Sequence, residues 1–182
     1  MSAFPAGRFP AIPPSSEFRD QHGRDPDTLS RQSPVLLVFL RHFGCTFCRE
    51  ALADLAARRA QLEASGVQLC LAHQSDRVRA GQVLARYGLA EVPHISDPER
   101  KLYEAFELRR GRVGQVLGWR SWLRGAMAGV LNGHGIGWLE GDGFQMPGAF
   151  LLYQGQILRA FRHAHAADRP DYLALAACEL PA

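Results

Sequence analysis

Pro34-Val35-Leu36-Leu37-Val38-Phe39-Leu40-Arg41-His42-Phe43-Gly44-Cys45-Thr46-Phe47-Cys48-Arg49-Glu50 is the stretch on which the reading of this 182-residue chain turns. Its first part, Val35 to Leu40, is a continuous apolar run rich in β-formers. Such a run is what a strand buried on both faces looks like. It breaks at Arg41-His42-Phe43-Gly44 and reaches a C-x-x-C pair, Cys45 and Cys48. From Arg49 to Ala64 the pattern changes to helical spacing. Cys48, Ala51, Leu52, Leu55, Ala56 and Leu62 share one stripe, with Arg49, Glu50, Asp54 and Arg58 off it. Gly66 ends that helix. The cysteine pair is therefore expected where a buried strand turns into a helix.

Working outward, Val67 to Ala72 is a second buried-strand candidate, and Ser75 to Tyr87 reads as a helix closed by Gly88. Strand, helix, strand, helix implies a parallel pair with a right-handed crossover. Val92 to Ser96 is a short extended segment. Asp97 then reads as an N-cap and Pro98 as the first residue of a helix carrying Leu102, Tyr103 and Phe106. Residues 107–145 form a glycine-rich insertion. Within it Trp119, Trp122, Leu123, Ala126, Met127, Val130 and Leu131 recur at helical spacing, stopped by Asn132-Gly133. That amphipathic helix is expected to pack on the sheet or on a partner subunit. Residues 148–153 and 156–161 flank Gln154-Gly155 as a hairpin, and residues 168–177 make a last helix. Residues 1–33, rich in Pro, Ser and Gly, read as a loop-like N-terminal arm, partly docked by Phe4, Phe9 and Phe18. The domain proper is expected over 34–182.

Composition removes several classes. Basic and acidic residues number 21 and 18, and all the basic residues but Lys101 are scattered arginines. A nucleic-acid binder concentrates its basic charge, so no nucleic-acid partner is expected. No apolar run is long enough to be a transmembrane segment. Met1 to Pro14 lacks the cationic start and apolar stretch of a secretory leader, so the expected location is cytoplasmic. Four cysteines are too few for a disulfide scaffold. Cys70, inside a strand, and Cys178, on the last helix, read as filling.

The C-x-x-C position has its own physical logic. A helix N-terminus presents unpaired N–H groups and about half a positive charge. Both stabilise a thiolate, which is the reactive form of cysteine. Arg41, His42 and Arg49 are expected to add positive potential. Cys48 falls on the apolar stripe and should be the more buried, Cys45 the more exposed. The same residues allow a metal reading: His42, Cys45 and Cys48 with His163 or His165 would supply zinc ligands. A strand-loop-helix pair weighs toward redox chemistry instead.

The run from Pro34 through Arg49-Glu50, then Gln74-Ser75-Asp76, then Asp97-Pro98-Glu99, resembles the thioredoxin-fold peroxiredoxin-like group. More narrowly it resembles the alkyl hydroperoxide reductase/thiol-specific antioxidant type and its selenoprotein-L-like subgroup, over residues from about 30 to 180. The resemblance implies an α/β thioredoxin-like fold, a central mixed sheet flanked by helices. It implies a cis-proline at Met146-Pro147, facing the cysteines. It implies a thiol-dependent oxidoreductase that reduces peroxides or disulfides through a Cys45–Cys48 bond. A dithiol such as thioredoxin or glutaredoxin would regenerate it, with no cofactor and no metal, and a homodimer is compatible. Arg41, His42, Thr46, Arg49, Met146 and Pro147 are the expected supporting residues. The group's usual P-x-x-x-T-x-x-C places Arg41 at the proline, Cys45 at the threonine and Cys48 at the attacking cysteine; the usual later arginine is replaced by Gln145 and Met146. The family register favours Cys48 as nucleophile, whereas exposure favours Cys45 with Cys48 resolving. The alternative from another class is a non-catalytic thioredoxin-fold module that binds a metal or a protein partner.

Overall fold

The computed structural model describes residues 2–3, 10–111, 141–165 and 167–177. Six strands form one mixed sheet: β1 (Ser2–Ala3), β2 (Val35–Phe39), β3 (Gln68–His73), β4 (His94–Ser96), β5 (Gly148–Tyr153) and β6 (Gln156–Arg162), in the order β1-β6-β5-β2-β3-β4. β2, β3 and β4 run parallel, while β5 is antiparallel to β2 and β6, and β1 to β6. The five described helices are α1 (Pro26–Gln32), α2 (Thr46–Ala64), α3 (Arg77–Ala85), α4 (Lys101–Ala105) and α5 (Tyr172–Ala176).

The apolar run at Val35 behaves as its composition demands. Every residue of β2 is buried, and alternate residues feed two cores. Leu36 and Val38 join Leu52, Leu55, Leu84 and Leu175, the apolar faces of α2, α3 and α5. Val35, Leu37 and Phe39 join Leu29, Leu102 and Tyr103 of α1 and α4. The period of two along a strand sends neighbours to opposite faces, so one short segment anchors both layers. Phe39 meets the rings of Tyr103, Phe106 and Phe150 at centroid distances of 4.9, 5.1 and 5.6 Å. The hairpin forms as expected. Gln154 and Gly155 have φ of +46° and +76°, the pair of positive values a two-residue turn needs to match the strand twist.

Four expectations are corrected. The arm is less loop-like than its composition: residues 26–32 form α1, capped by the Asp25 carboxylate on Thr28 N–H, and Leu29 is fully buried. Phe18 does pack against that core, whereas Phe4 and Phe9 lie outside the described residues. α4 starts at Lys101 rather than Pro98. Its N-cap is Arg100 and not Asp97, although the Asp97 carboxylate still accepts from the N–H groups of Lys101, Leu102 and Tyr103 at 3.0, 2.8 and 3.2 Å. The last helix starts at Tyr172, because the Asp168 carboxylate is spent on the N–H groups of Ala164 and His165 and Asp171 takes the cap.

The fourth correction is the proline. No cis peptide bond occurs among the described residues, so Met146–Pro147 is trans. The chain reaches Pro147 already extended, held by pairing of Arg110 with Gln145 and by Met146 N–H on the Arg109 carbonyl. An extended residue before proline and a trans bond continue directly into β5. The amphipathic pattern at Trp119 to Leu131 and Cys178 lie outside the described residues.

Candidate active site

Cys45 is the N-cap of α2 and Cys48 sits in its first turn. The turn closes through the Cys45 carbonyl, which accepts from the N–H groups of Cys48 and Arg49 at 3.0 and 3.1 Å. Both sulfurs are thiols, and so is Cys70. Cys45 is the more exposed of the two, as expected, but by little: both are buried, at 9% and 4% exposure.

Arg41 ties the pair together. Its backbone N–H donates to Cys48 Sγ at 3.2 Å, and its Nη1 lies 3.7 Å from Cys45 Sγ. Its Nε donates to the Gly143 carbonyl at 2.7 Å, fixing the guanidinium against the far wall. Arg41 is itself buried, so its charge acts through little screening. The loop bearing it is braced by Gln74. That amide donates to the Arg41 carbonyl and accepts from the Asp142 N–H at 2.7 Å.

These contacts pull the two thiols apart electrostatically. A hydrogen bond from the Cys48 thiol lowers Cys45 to about 6. Burial opposes this, and Arg41 and the N–H groups of Cys48 and Phe47 assist. Donating that hydrogen bond, burial and the facing negative sulfur push Cys48 well above the ordinary thiol range. At neutral pH Cys45 is the thiolate and Cys48 the protonated donor.

The expected supporting residues fare unequally. Arg41 touches both thiols. His42 is buried with neither ring nitrogen bonded among the described residues, and burial, then Arg41, lowers it to about 4. It is neutral at pH 7 and adds none of the positive potential expected of it. Thr46 opens α2 and is buried. Arg49 turns aside, its Nε on the Phe43 carbonyl at 3.1 Å. Met146 lines a separate cleft with Arg109 and Arg162, whereas Pro147 lines the cysteine cleft in its trans form.

The cleft over the thiols is about 30 Å³, room for a water-sized molecule. Arg41, Cys45, Cys48, Glu50, Pro147 and His163 line it. Glu50 was placed off the apolar stripe, yet it is buried and held by Arg169 at 2.9 Å. His163 follows β6, and burial lowers it to about 4, so it too is neutral. Sequence reasoning missed Glu50 and Gln74. The one signal for Gln74 was its place in Gln74-Ser75-Asp76, which marks a position and no contact. His165 lies instead at the surface with Asp168. Among the described residues no group of three or more His, Cys, Asp or Glu could hold a metal ion.

A paired-cysteine junction ahead of a central helix, with a proline-headed antiparallel strand beside it, defines a thioredoxin-fold thiol protein of peroxiredoxin-like class. A profile of the AhpC/TSA antioxidant enzyme family matches residues 54–165, more than half of the chain, and the chain belongs to that family. The match begins after Cys48, so the cysteine pair rests on the geometry above. Human Peroxiredoxin-like 2A is 26% identical over 151 residues, 81% of this chain and 63% of that protein. Human Peroxiredoxin-like 2C is 32% identical over 84 residues, 46% of this chain and 37% of that protein. The matched segment thus spans only part of each relative. Among solved structures, a Xanthomonas campestris Peroxiredoxin Q superposes with a TM-score of 0.60 at 17% identity, covering 97% and 96% of the two chains. Reduced Prx3 of Vibrio vulnificus in complex with H2O2 gives a TM-score of 0.63 at 13% identity, covering 90% and 91%. Those likenesses show the fold.

Proposed function

We propose that this chain is a thiol-dependent oxidoreductase in which Cys45 attacks and Cys48 resolves. The observation that carries the reading is the split between the two sulfurs: Cys45 lowered to about 6 beside Arg41, Cys48 raised and donating to it. A lowered thiolate is available near neutral pH, and a protonated neighbour supplies the proton that a leaving group needs.

With a hydroperoxide, Cys45 thiolate attacks the terminal oxygen. The O–O bond breaks, the alkoxide leaves with a proton to become an alcohol (or water), and Cys45 becomes a sulfenic acid. Cys48 sulfur then displaces hydroxide from Cys45, giving the Cys45–Cys48 disulfide and water. With a disulfide substrate, Cys45 forms a mixed disulfide that Cys48 resolves. An external dithiol returns both cysteines to thiols, and its two electrons balance the cycle. The small cleft favours the peroxide variant, since its volume suits a water-sized oxidant. Arg41 then stands where charge develops, at Cys45 and the leaving oxygen.

The test is consumption of hydrogen peroxide and of cumene hydroperoxide with dithiothreitol, then thioredoxin or glutaredoxin, as reductant. Wild type is expected to turn over at least one oxidant, and Cys45→Ser none. Turnover no faster than a cysteine-free variant with both oxidants, together with no reduction of insulin disulfides, would sink the reading.

A further inference from the structure

The cysteine cleft is partly walled by residues that the redox steps above do not use. Asp168, Arg169 and Pro170, in the connection from β6 to α5, line it together with Cys45, Cys48 and Glu50. This wall is anchored at both ends. On one side the Asp168 carboxylate accepts from the N–H groups of Ala164 and His165, both at 2.8 Å. On the other, Pro170 is buried, and Tyr172 and Leu175 of α5 share a core with Leu52 and Leu55 of α2. Proline locks its own φ, which stiffens the backbone beside Arg169. Between these anchors Arg169 reaches across to α2, its Nη1 2.9 Å from Glu50 Oε1. The Glu50 side chain is 10% exposed and that of Arg169 48%, so the pair runs from the interior to the surface. Glu50 stands two residues beyond Cys48 in α2, so the pair ties the wall to the helix that carries the thiols.

We propose that the Arg169–Glu50 pair sets the size limit of this site, so that it admits hydrogen peroxide and other small hydroperoxides and turns away bulky ones. The proposal rests on the thiol reading above and names the size class of its oxidant. A cleft of about 30 Å³ holds one water-sized molecule, and an aromatic hydroperoxide enters only if the wall is displaced. Arginine and glutamate are long, rotamer-rich side chains, and pairing holds both in one geometry across the cleft. Removing the Arg169 charge takes one partner from a mostly buried carboxylate, and water that replaces it widens the cleft.

Two alkylating reagents of different bulk test the limit without turnover. Iodoacetamide and N-pyrenyl iodoacetamide share one reactive group and carry no charge, so the ratio of their rates at one thiol is independent of its thiolate fraction. Rates are read at Cys45 of the full chain by peptide mass spectrometry, and the ratio is normalised to that of free cysteine. Wild type is expected to favour the small reagent strongly. Arg169→Met keeps much of the side chain and removes the charge, and should raise the relative rate of the bulky reagent about fivefold, the size of a partly exposed ion pair. Arg169→Lys should stay nearer wild type, which separates charge from folding. Raising salt from about 0.1 M to about 1 M shortens the Debye length from roughly 10 Å to roughly 3 Å, and should move wild type toward Arg169→Met while leaving Arg169→Met unchanged. That arm does not depend on a variant folding. In turnover, the ratio of kcat/KM for cumene hydroperoxide to that for hydrogen peroxide should rise by the same factor in Arg169→Met. Free-cysteine selectivity in wild type, a wild-type ratio that salt does not move, an unchanged ratio in Arg169→Met, or Arg169→Lys matching Arg169→Met overturns the proposal. If neither hydroperoxide turns over in wild type, the redox reading fails, while the alkylation ratios still decide the size limit.

Discussion

Cys45 and Cys48 are three positions apart in sequence, yet they titrate in opposite directions. The thiol-to-thiol hydrogen bond is the largest cause at both sulfurs; burial opposes the fall at Cys45 and adds to the rise at Cys48, and the Arg41 charge assists at Cys45. Iodoacetamide reacts with thiolate, so the alkylation rate of Cys45 should rise with pH through a midpoint of about 6. In Arg41→Met the midpoint should move up by about one unit, the usual effect of losing a cation at this range. A midpoint near 8.5, the ordinary value for an unperturbed thiol, in both proteins would contradict the role given to Arg41. Gly141 bears on the same loop. Its φ is +81°, and a Cβ there would lie 2.8 Å from Gln74 Oε1. Gly141→Ala should therefore displace the brace on Arg41 and cost about 1–3 kcal/mol in a denaturation experiment.

At the scale of elements, the start of α4 is the clearest case of local chemistry acting at a distance. Asp97 serves three N–H groups of a helix that starts four residues later. Asp97→Ala should lower stability by about 1–2 kcal/mol, read from the urea midpoint at unchanged slope. The sequence picked out Asp97 as a partner of this helix's N–H groups but placed both the N-cap and the helix start too early: the N-cap is Arg100, whose left-handed φ of 62° residue type alone does not announce. The elements with strong periods, β2, α2, β3 and the hairpin, were legible from spacing. α1 was hidden under a Pro-rich composition, although Asp25-Pro26 is itself a helix-start signal. At the site, the cysteine pair was legible because a motif marks it. The neutral state of His42 and the burial of Glu50 were not. Both depend on neighbours brought from other parts of the chain, as in Arg169 with Glu50.

For the whole molecule, burial of neutral histidines sets the acid limit. In the unfolded chain a histidine takes up a proton below about pH 6.5. In the fold, His42, His73 and His163 are held down to about 4, 3 and 4 by burial first, with Arg41 adding at His42 and His94 at His73. The unfolded state binds more protons throughout that window, so stability falls as pH drops from 6.5. Each group contributes at most about 1.4 kcal/mol per pH unit there. Urea midpoints between pH 7 and pH 5 should decline steeply, and His73→Gln should flatten part of the decline. An unchanged midpoint over that range would contradict the burial assignment. No helix of the described residues is long and apolar enough to cross a membrane.

The central claim is that Cys45 attacks and Cys48 resolves, and trapping the sulfenic acid tests it most directly. Cys48→Ser protein treated with one equivalent of hydrogen peroxide in the presence of dimedone should carry the adduct on Cys45, found by peptide mass spectrometry. Cys45→Ser protein under the same conditions should carry none on Cys48. An adduct on Cys48 in Cys45→Ser with an unmodified Cys45 in Cys48→Ser would contradict the account and give the attacking role to the other sulfur.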